Sequence, residues 1–291
     1  MDSFAQLGRK GKRLRSLDVL FSAIAQRILN CFRSYRMTDQ VLVEVKERVM
    51  WIRMNRPEKK NALTGAMYTA MSDAISQAGN DSGVRAVLIT GTQDCFTAGN
   101  DLIDFANAKP GGGPAPAITF LQTISTAQKP VIAAVSGVAV GIGTTMLLHC
   151  DLVYAGTSAK FHLPFVNLGL CAEGGSSLLL PAMLGQHRAA ELLLLGDPFG
   201  AEQAQQFGIV NQVFPDSELW PAAEAKAQQL AEKPPAAMRA TKALLKAHTS
   251  AALAETMLRE GQQFASLLQG PEAKEAMMAF MERRKPDFSQ F

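Results

Sequence analysis

Glu173 is the one carboxylate in a run otherwise made of Phe, Leu, Val and small residues. Apolar neighbours desolvate a carboxylate, raise its pKa and make it a better base near neutral pH. Upstream, Gly141 and Gly143 bracket a turn between an apolar strand and a helix starting near Ile142. The first turn of a helix offers unpaired N–H donors and the positive end of the macrodipole, which suit a developing anion. A second turn, Phe96-Thr97-Ala98-Gly99-Asn100-Asp101, follows a strand and Gly91. Gly99 there lets the backbone approach a ligand, and the N–H of Asn100 is a second donor. Two backbone donors from separate loops make an oxyanion hole, which can lower a barrier by several kcal/mol. With one carboxylate in an apolar loop, they point to proton transfer beside a carbonyl.

Each feature also has a plainer reading. Glu173 precedes Gly174-Gly175-Ser176-Ser177, which opens a helix whose dipole an acidic residue would complement. The 96–101 segment reads as a polar turn, and Gly141 to Gly143 as a close-packed strand-to-helix crossing. A dinucleotide fingerprint is not supported, because Met146 stands three residues after Gly143. His149 and His162 read as hydrogen-bonded structural residues, and Ser136 lacks the glycines of a nucleophile elbow. Lys59 and Lys60 are solvated charges unless an anionic ligand lies nearby. Four dispersed histidines and four cysteines without paired spacing (Cys31, Cys95, Cys150, Cys171) give no metal site and suggest free thiols in a reducing compartment.

The elements that must carry these residues follow from periodicity. Residues 41–55 alternate as a hairpin, broken by Asn55-Arg56-Pro57 and a basic loop. Thr64 can cap a helix with Met67, Met71, Ala74, Ile75 and Ala78 on its inward face. A buried strand over 84–90 leads into the Asn100 loop. Lys109 to Pro116, with three glycines between prolines, reads as a flexible loop or lid. A helix near 118–127 enters the stretch 130–175, which also holds a strand at 152–155 and an edge around Phe161. Short helices are expected over 176–185, 187–195 and 201–207, and a strand over 209–214. From Glu218 onward alanine-rich helices replace strands. The class is α/β, with a repeating ββα core over 37–217 and a helical region over 218–291.

The 291 residues are 47% hydrophobic and 19% charged, the proportions of a soluble globular chain. No run of about 18 apolar residues occurs, so no membrane span is expected. The net charge of +3 is uneven. Residues 1–36 hold eight of the 29 basic and two of the 26 acidic residues, which leaves the remainder at −3. On charge grounds the body is no nucleic-acid binder. Residues 1–36 have three readings: an Arg-rich presequence, a surface-binding segment, or an extension ahead of a domain beginning near Met37.

At these motifs the sequence resembles the crotonase (enoyl-CoA hydratase/isomerase) superfamily. The resemblance spans about residues 38 to 290. It rests on Asn55-Arg56-Pro57 with Lys60-Asn61-Ala62-Leu63, on Phe96 to Leu102, on Lys129 to Gly143, and on Cys150 to Ala155. The closing Ala279-Phe280 with Arg283-Arg284-Lys285-Pro286 also fits. It implies a right-handed ββα spiral, a helical C-terminal region used to form trimers or dimers of trimers, and an acyl-CoA thioester as substrate. Its carbonyl oxygen would lie between the N–H groups of Asn100 and Ile142. Coenzyme A then belongs to the substrate, and no separate cofactor or metal is implied. The substrate-contacting surface would include Lys60, Ala62, Ala98, Gly99, Asp101, Leu102, Gly141 and Phe165.

Hydratases of the superfamily use two glutamates, and here those positions hold Thr145 and Phe165. Neither side chain takes a proton from water. Glu173, within Pro164 to Gly175, is instead similar to the lone glutamate of peroxisomal-type Δ3,Δ2-enoyl-CoA isomerases of fatty-acid β-oxidation. The resemblance therefore implies an isomerase. The alternatives are hydration, isomerisation of an aromatic or terpenoid acyl-CoA, or non-catalytic acyl-CoA binding. Ser289-Gln290-Phe291 is not a peroxisomal signal. A cytoplasmic protein is expected, or a mitochondrial one if residues 1–36 are a presequence.

Overall fold

The computed structural model describes residues 32–101, 104 and 115–291, with side chains from Thr38 onward. Seven strands form the main sheet: β1 (Phe32–Thr38), β2 (Val41–Lys46), β3 (Val49–Met54), β4 (Ala86–Thr90), β5 (Val131–Val135), β7 (Leu152–Gly156) and β10 (Gln212–Phe214). Their spatial order is β1-β2-β3-β4-β5-β7-β10. The first two pairings are antiparallel and the rest parallel. A smaller sheet holds β6 (Val138–Val140), β8 (Lys160–His162) and β9 (Phe199–Gly200).

The central strands β4 and β5 are buried at every position, and apolar but for Thr90, because both faces of the sheet are covered. Along β4, Val87 and Ile89 enter one core while Ala86 and Leu88 enter the other. The first core packs against α1 (Gly65–Asn80) and α2 (Pro116–Ser125). Thr64 caps α1, accepting the Met67 N–H at 3.3 Å, and the five inward residues expected from periodicity are all buried. The second core is closed by α7 (Asp216–Ala231), whose Leu219, Ala223, Ala227 and Ala231 recur at four-residue spacing.

Two boundaries read from composition shift. β1 begins at Phe32 and pairs with β2 through Phe32↔Lys46, so residues 32–36 join the sheet edge although charge assigns them to the extension. The change in composition at Glu218 falls inside α7, a helix that belongs to the core because it seals the sheet. The C-terminal helices proper are α8 (Pro235–Ala247), α9 (Ser250–Leu268) and α10 (Pro271–Met281).

The remaining elements are short. A four-residue α3 (Ile142–Thr145) runs on as a 3-10 turn over Met146–His149. α4 (Ser176–Leu184) and α5 (Gln186–Ala190) follow, then a π-turn at Glu191–Leu195 and α6 (Ala201–Gln206). The strand expected from Ile209 begins only at Gln212, because the buried Ile209 and Val210 lie in the turn that leaves α6. Residues 1–31, 102–103 and 105–114 fall outside the described residues, and with them residues 109–114 of the expected lid.

Candidate active site

Strand β4 delivers the Asn100 loop, and the basic loop after β3 holds it in place. Asn61 is fully buried and is the hub. Its Nδ2 donates to the carbonyls of Cys95 (2.8 Å) and Phe96 (3.1 Å), while its Oδ1 accepts the Arg56 N–H at 2.8 Å. Thr97 Oγ1 donates to the Asn61 carbonyl at 2.6 Å. Leu63 and Asn100 form a parallel bridge, with Leu63 N–H on the Gly99 carbonyl and Asp101 N–H on the Leu63 carbonyl. Arg56 closes the assembly through Ala62 O at 2.9 Å and Asp101 Oδ2 at 2.7 Å.

Strand β6 brings the second loop alongside. Thr97 N–H donates to Val138 O and Val140 N–H to Thr97 O, so the two turns are fixed to each other by main-chain bonds. The two glycines of the second turn serve different needs. At Gly141 φ is +55° and an added Cβ would meet nothing nearer than Phe165 Cε1 at 3.9 Å, so the backbone conformation is what requires glycine. At Gly143 an added Cβ would strike Thr97 Cγ2 at 2.5 Å, so space requires it. Ile142 opens α3, and its N–H precedes any intrahelical partner. Among the described residues neither this N–H nor that of Asn100 is used in a backbone bond.

Thr145, one turn into α3, donates its hydroxyl hydrogen to Glu173 Oε1 across 2.5 Å. The carboxylate therefore stands beside the helix whose first N–H is that of Ile142, the second donor expected from the sequence. Burial pushes the Glu173 pKa up to about 7; the Thr145 hydrogen bond opposes this, and the nearby Glu260 charge adds to it. The helix-capping role open to Glu173 is filled by Glu260 from α9. Glu260 is 7% exposed and accepts Gly175 N–H (2.5 Å), Ser177 N–H (3.0 Å) and Ser177 Oγ (2.5 Å) at the start of α4. That leaves the Glu173 side chain to the site.

The residues expected on the substrate surface separate into groups. Ala98 and Gly141 are half-buried on the two glycine-containing turns, and Phe165 lies over Gly141. Gly99 and Ala62 are in the Asn61-centred lattice beside them, and the Lys60 side chain is exposed at its rim. The Asp101 carboxylate is held by Arg56. Leu102 lies outside the described residues. Phe161, at the edge expected there, is fully buried and stacks on Phe199 at 5.5 Å, where it belongs to the core of the small sheet. The histidines are structural: His149 Nε2 bonds Gly174 O at 2.8 Å and His162 Nε2 bonds Gly196 O at 2.7 Å. Burial lowers the His149 pKa to about 4, which keeps it neutral.

Sequence reading misses two groups. Tyr68, 3% exposed on α1, donates to Asn100 Oδ1 at 2.6 Å, and its phenol pKa is raised by burial and then by the Glu173 charge. Its only sequence signal is a polar tip inside an apolar helix face. Glu260 comes from 87 residues beyond Glu173 and carries no local signal at all.

Among the described residues no helix is long and apolar enough to cross a membrane. A family model described as enoyl-CoA hydratase/isomerase matches residues 44–291. A 1,2-epoxyphenylacetyl-CoA isomerase from Escherichia coli K12 is 35% identical over 265 residues, 87% of this chain and 99% of the relative. Enoyl-CoA delta isomerase 2 from Rattus norvegicus is 35% identical over 250 residues, 84% of this chain and 64% of the relative. The crystal structure of an enoyl-CoA hydratase/isomerase from Pseudoalteromonas atlantica superposes with a TM-score of 0.83 at 42% identity. It covers 86% of this chain and 99% of its own.

Proposed function

The chain belongs to the enoyl-CoA hydratase/isomerase family, and within it we propose a Δ3,Δ2-enoyl-CoA isomerase of fatty-acid β-oxidation that works through one carboxylate. The observation carrying this is the Thr145–Glu173 hydrogen bond. Where a hydratase has its first glutamate stands a hydroxyl that donates to the lone carboxylate, and where it has its second stands Phe165, 5% exposed.

In this reading the thioester oxygen of a 3-enoyl-CoA accepts the N–H groups of Asn100 and Ile142. Glu173 takes a proton from C2, and the electron pair of that C–H bond becomes the enolate, whose negative oxygen the two donors stabilise. The same carboxyl returns the proton at C4. The double bond then lies between C2 and C3, and Glu173 is again a carboxylate. A pKa of about 7 suits both halves, since the group must accept and then release a proton near neutrality. Nothing but the substrate, whose coenzyme A is its handle, enters the cycle. The exposed Lys59 and Lys60 suit the phosphates of that handle.

A second reading, isomerisation of an aromatic-derived acyl-CoA, is favoured by the 35% identity to the Escherichia coli isomerase. Turnover of trans-3-hexenoyl-CoA, and of crotonyl-CoA with water, by wild type and Glu173→Gln tests the proposal. Isomerisation abolished in the variant, with little hydration by either protein, is the expected result. Hydration matching isomerisation would overturn the single-base mechanism, and silence on both substrates would overturn the acyl class.

A further inference from the structure

Away from this site, four cations on four segments line one cavity of about 110 Å³: Arg85, Lys129, Lys233 and Arg239. Arg85 stands immediately before β4, Lys129 just before β5, Lys233 in the turn after α7 and Arg239 in the second turn of α8. The oxyanion loops leave the opposite ends of the same parallel strands. At about 3.3 Å per residue, the five residues of β4 alone set the cavity roughly 16 Å from that side.

Three features mark these charges as only partly compensated. Arg85 Nε is buried with no hydrogen-bond partner among the described residues, a costly state for a guanidinium. Lys129 is 8% exposed and among the described residues donates only to neutral carbonyls, those of Ala78 and of Asp81, the latter at 2.6 Å. Burial lowers its pKa first, and after the opposing Asp81 charge come Arg239 and Arg85, two like charges that lower it further. Asp81 is the nearby acid, with Oδ1 accepting the Gly83 N–H at 2.7 Å. Lining from Pro130, Leu230, Pro235 and Met238 lowers the local dielectric and strengthens any charge pairing inside.

We propose that this cavity is an anion site for a phosphate group, either inorganic phosphate or the terminal phosphate of a small phosphomonoester. Guanidinium forks match tetrahedral oxyanions, and Arg85 and Arg239 both line the space. The space is several times the ~30 Å³ that a water occupies in the liquid. It admits a phosphate but cannot enclose a nucleotide.

The test uses the full chain at constant ionic strength, with inorganic phosphate, glycerol phosphate or sodium chloride added and thermal unfolding and calorimetric binding as readouts. The expected result is a saturable rise in Tm with either phosphate and none with chloride. The half-saturation point should weaken about tenfold in both Arg85→Gln and Arg239→Gln. Arg239 is exposed and makes no hydrogen bond among the described residues, so its variant should fold, and its acyl-CoA turnover should match wild type. The tighter of the two phosphate compounds identifies the source. Equal responses in wild type and variants, or an equal response to chloride, would overturn the proposal. A raised KM for acyl-CoA in Arg239→Gln would overturn the separation from the active site.

Discussion

Tyr68 donates its hydroxyl hydrogen to Oδ1 of Asn100 across 2.6 Å, reaching from α1 to the loop that carries the first of the two proposed oxyanion donors. The contact fixes the side chain of the residue whose main-chain N–H would hold the enolate oxygen in the proposed mechanism. Rigid donors stabilise an oxyanion better than mobile ones, because no reorganisation is needed as charge develops.

Tyr68→Phe should therefore act on turnover and leave binding nearly intact. The ring packs on Phe120 at 5.7 Å, and phenylalanine retains that contact. We expect kcat to fall about tenfold with little change in KM. Steady-state kinetics on 3-hexenoyl-CoA decide it. A raised KM with unchanged kcat would place Tyr68 in uniform substrate binding instead.

The raised pKa of Glu173 makes two pH predictions. The base must be ionised, so kcat/KM should rise with pH through about 7 on its acid limb, not near 4.5. Stability runs the other way. The folded pKa exceeds the unfolded one, so between about 4.5 and about 7 the folded state holds a proton that the unfolded chain has lost. Stability from this group is complete below 4.5 and is lost as pH rises through 7. Glu173→Gln, which never ionises, should gain about 2 kcal/mol over wild type at pH 8 and nothing at pH 4. Urea melts at the two pH values measure it, and an equal difference at both would refute the assignment.

Thr145→Val removes the hydrogen bond that holds the Glu173 pKa down. The acid limb should then move to higher pH, with activity at pH 6 falling more than activity at pH 9. An unmoved limb would mean that the hydroxyl does not touch the working form of the carboxylate.

The C-terminal helices leave Leu244, Leu245, Leu258, Phe280 and Met281 more than 60% exposed. Self-association into trimers would cover them. Light scattering should give a multiple of three of the 31.3 kDa chain, and Leu245→Lys should shift the mass downward.

Much of this arrangement is legible in the sequence because it is local. The α1 face, the Thr64 cap, the Gly141 turn and the isolation of Glu173 all rest on spacing within a few residues. What spacing cannot carry is contact between distant segments. Asn61 reads as a motif letter, yet it is the buried hub that ties residues 56–62 to 95–101. Thr145 reads only as a missing glutamate, although its hydroxyl tunes the base. The helices after Glu218 read as one region because their compositions agree, while only α7 covers the sheet.

Glu260 gives the sharpest contrast with Thr145. Its carboxylate takes two N–H groups and a hydroxyl at the start of α4, where the helix dipole favours negative charge. Its charge also raises the Glu173 pKa. Glu260→Gln keeps the shape and removes the charge, so two effects should separate. Stability should fall by about 1–2 kcal/mol, since hydrogen bonds to a charged acceptor become neutral ones. The acid limb of kcat/KM should move to lower pH, opposite to the shift from Thr145→Val. The double variant should return the limb toward its wild-type position, because the two influences act on one carboxylate with opposite sign. Limbs that move in the same direction in both single variants would show that the shifts come from general loosening of the loop and not from charge.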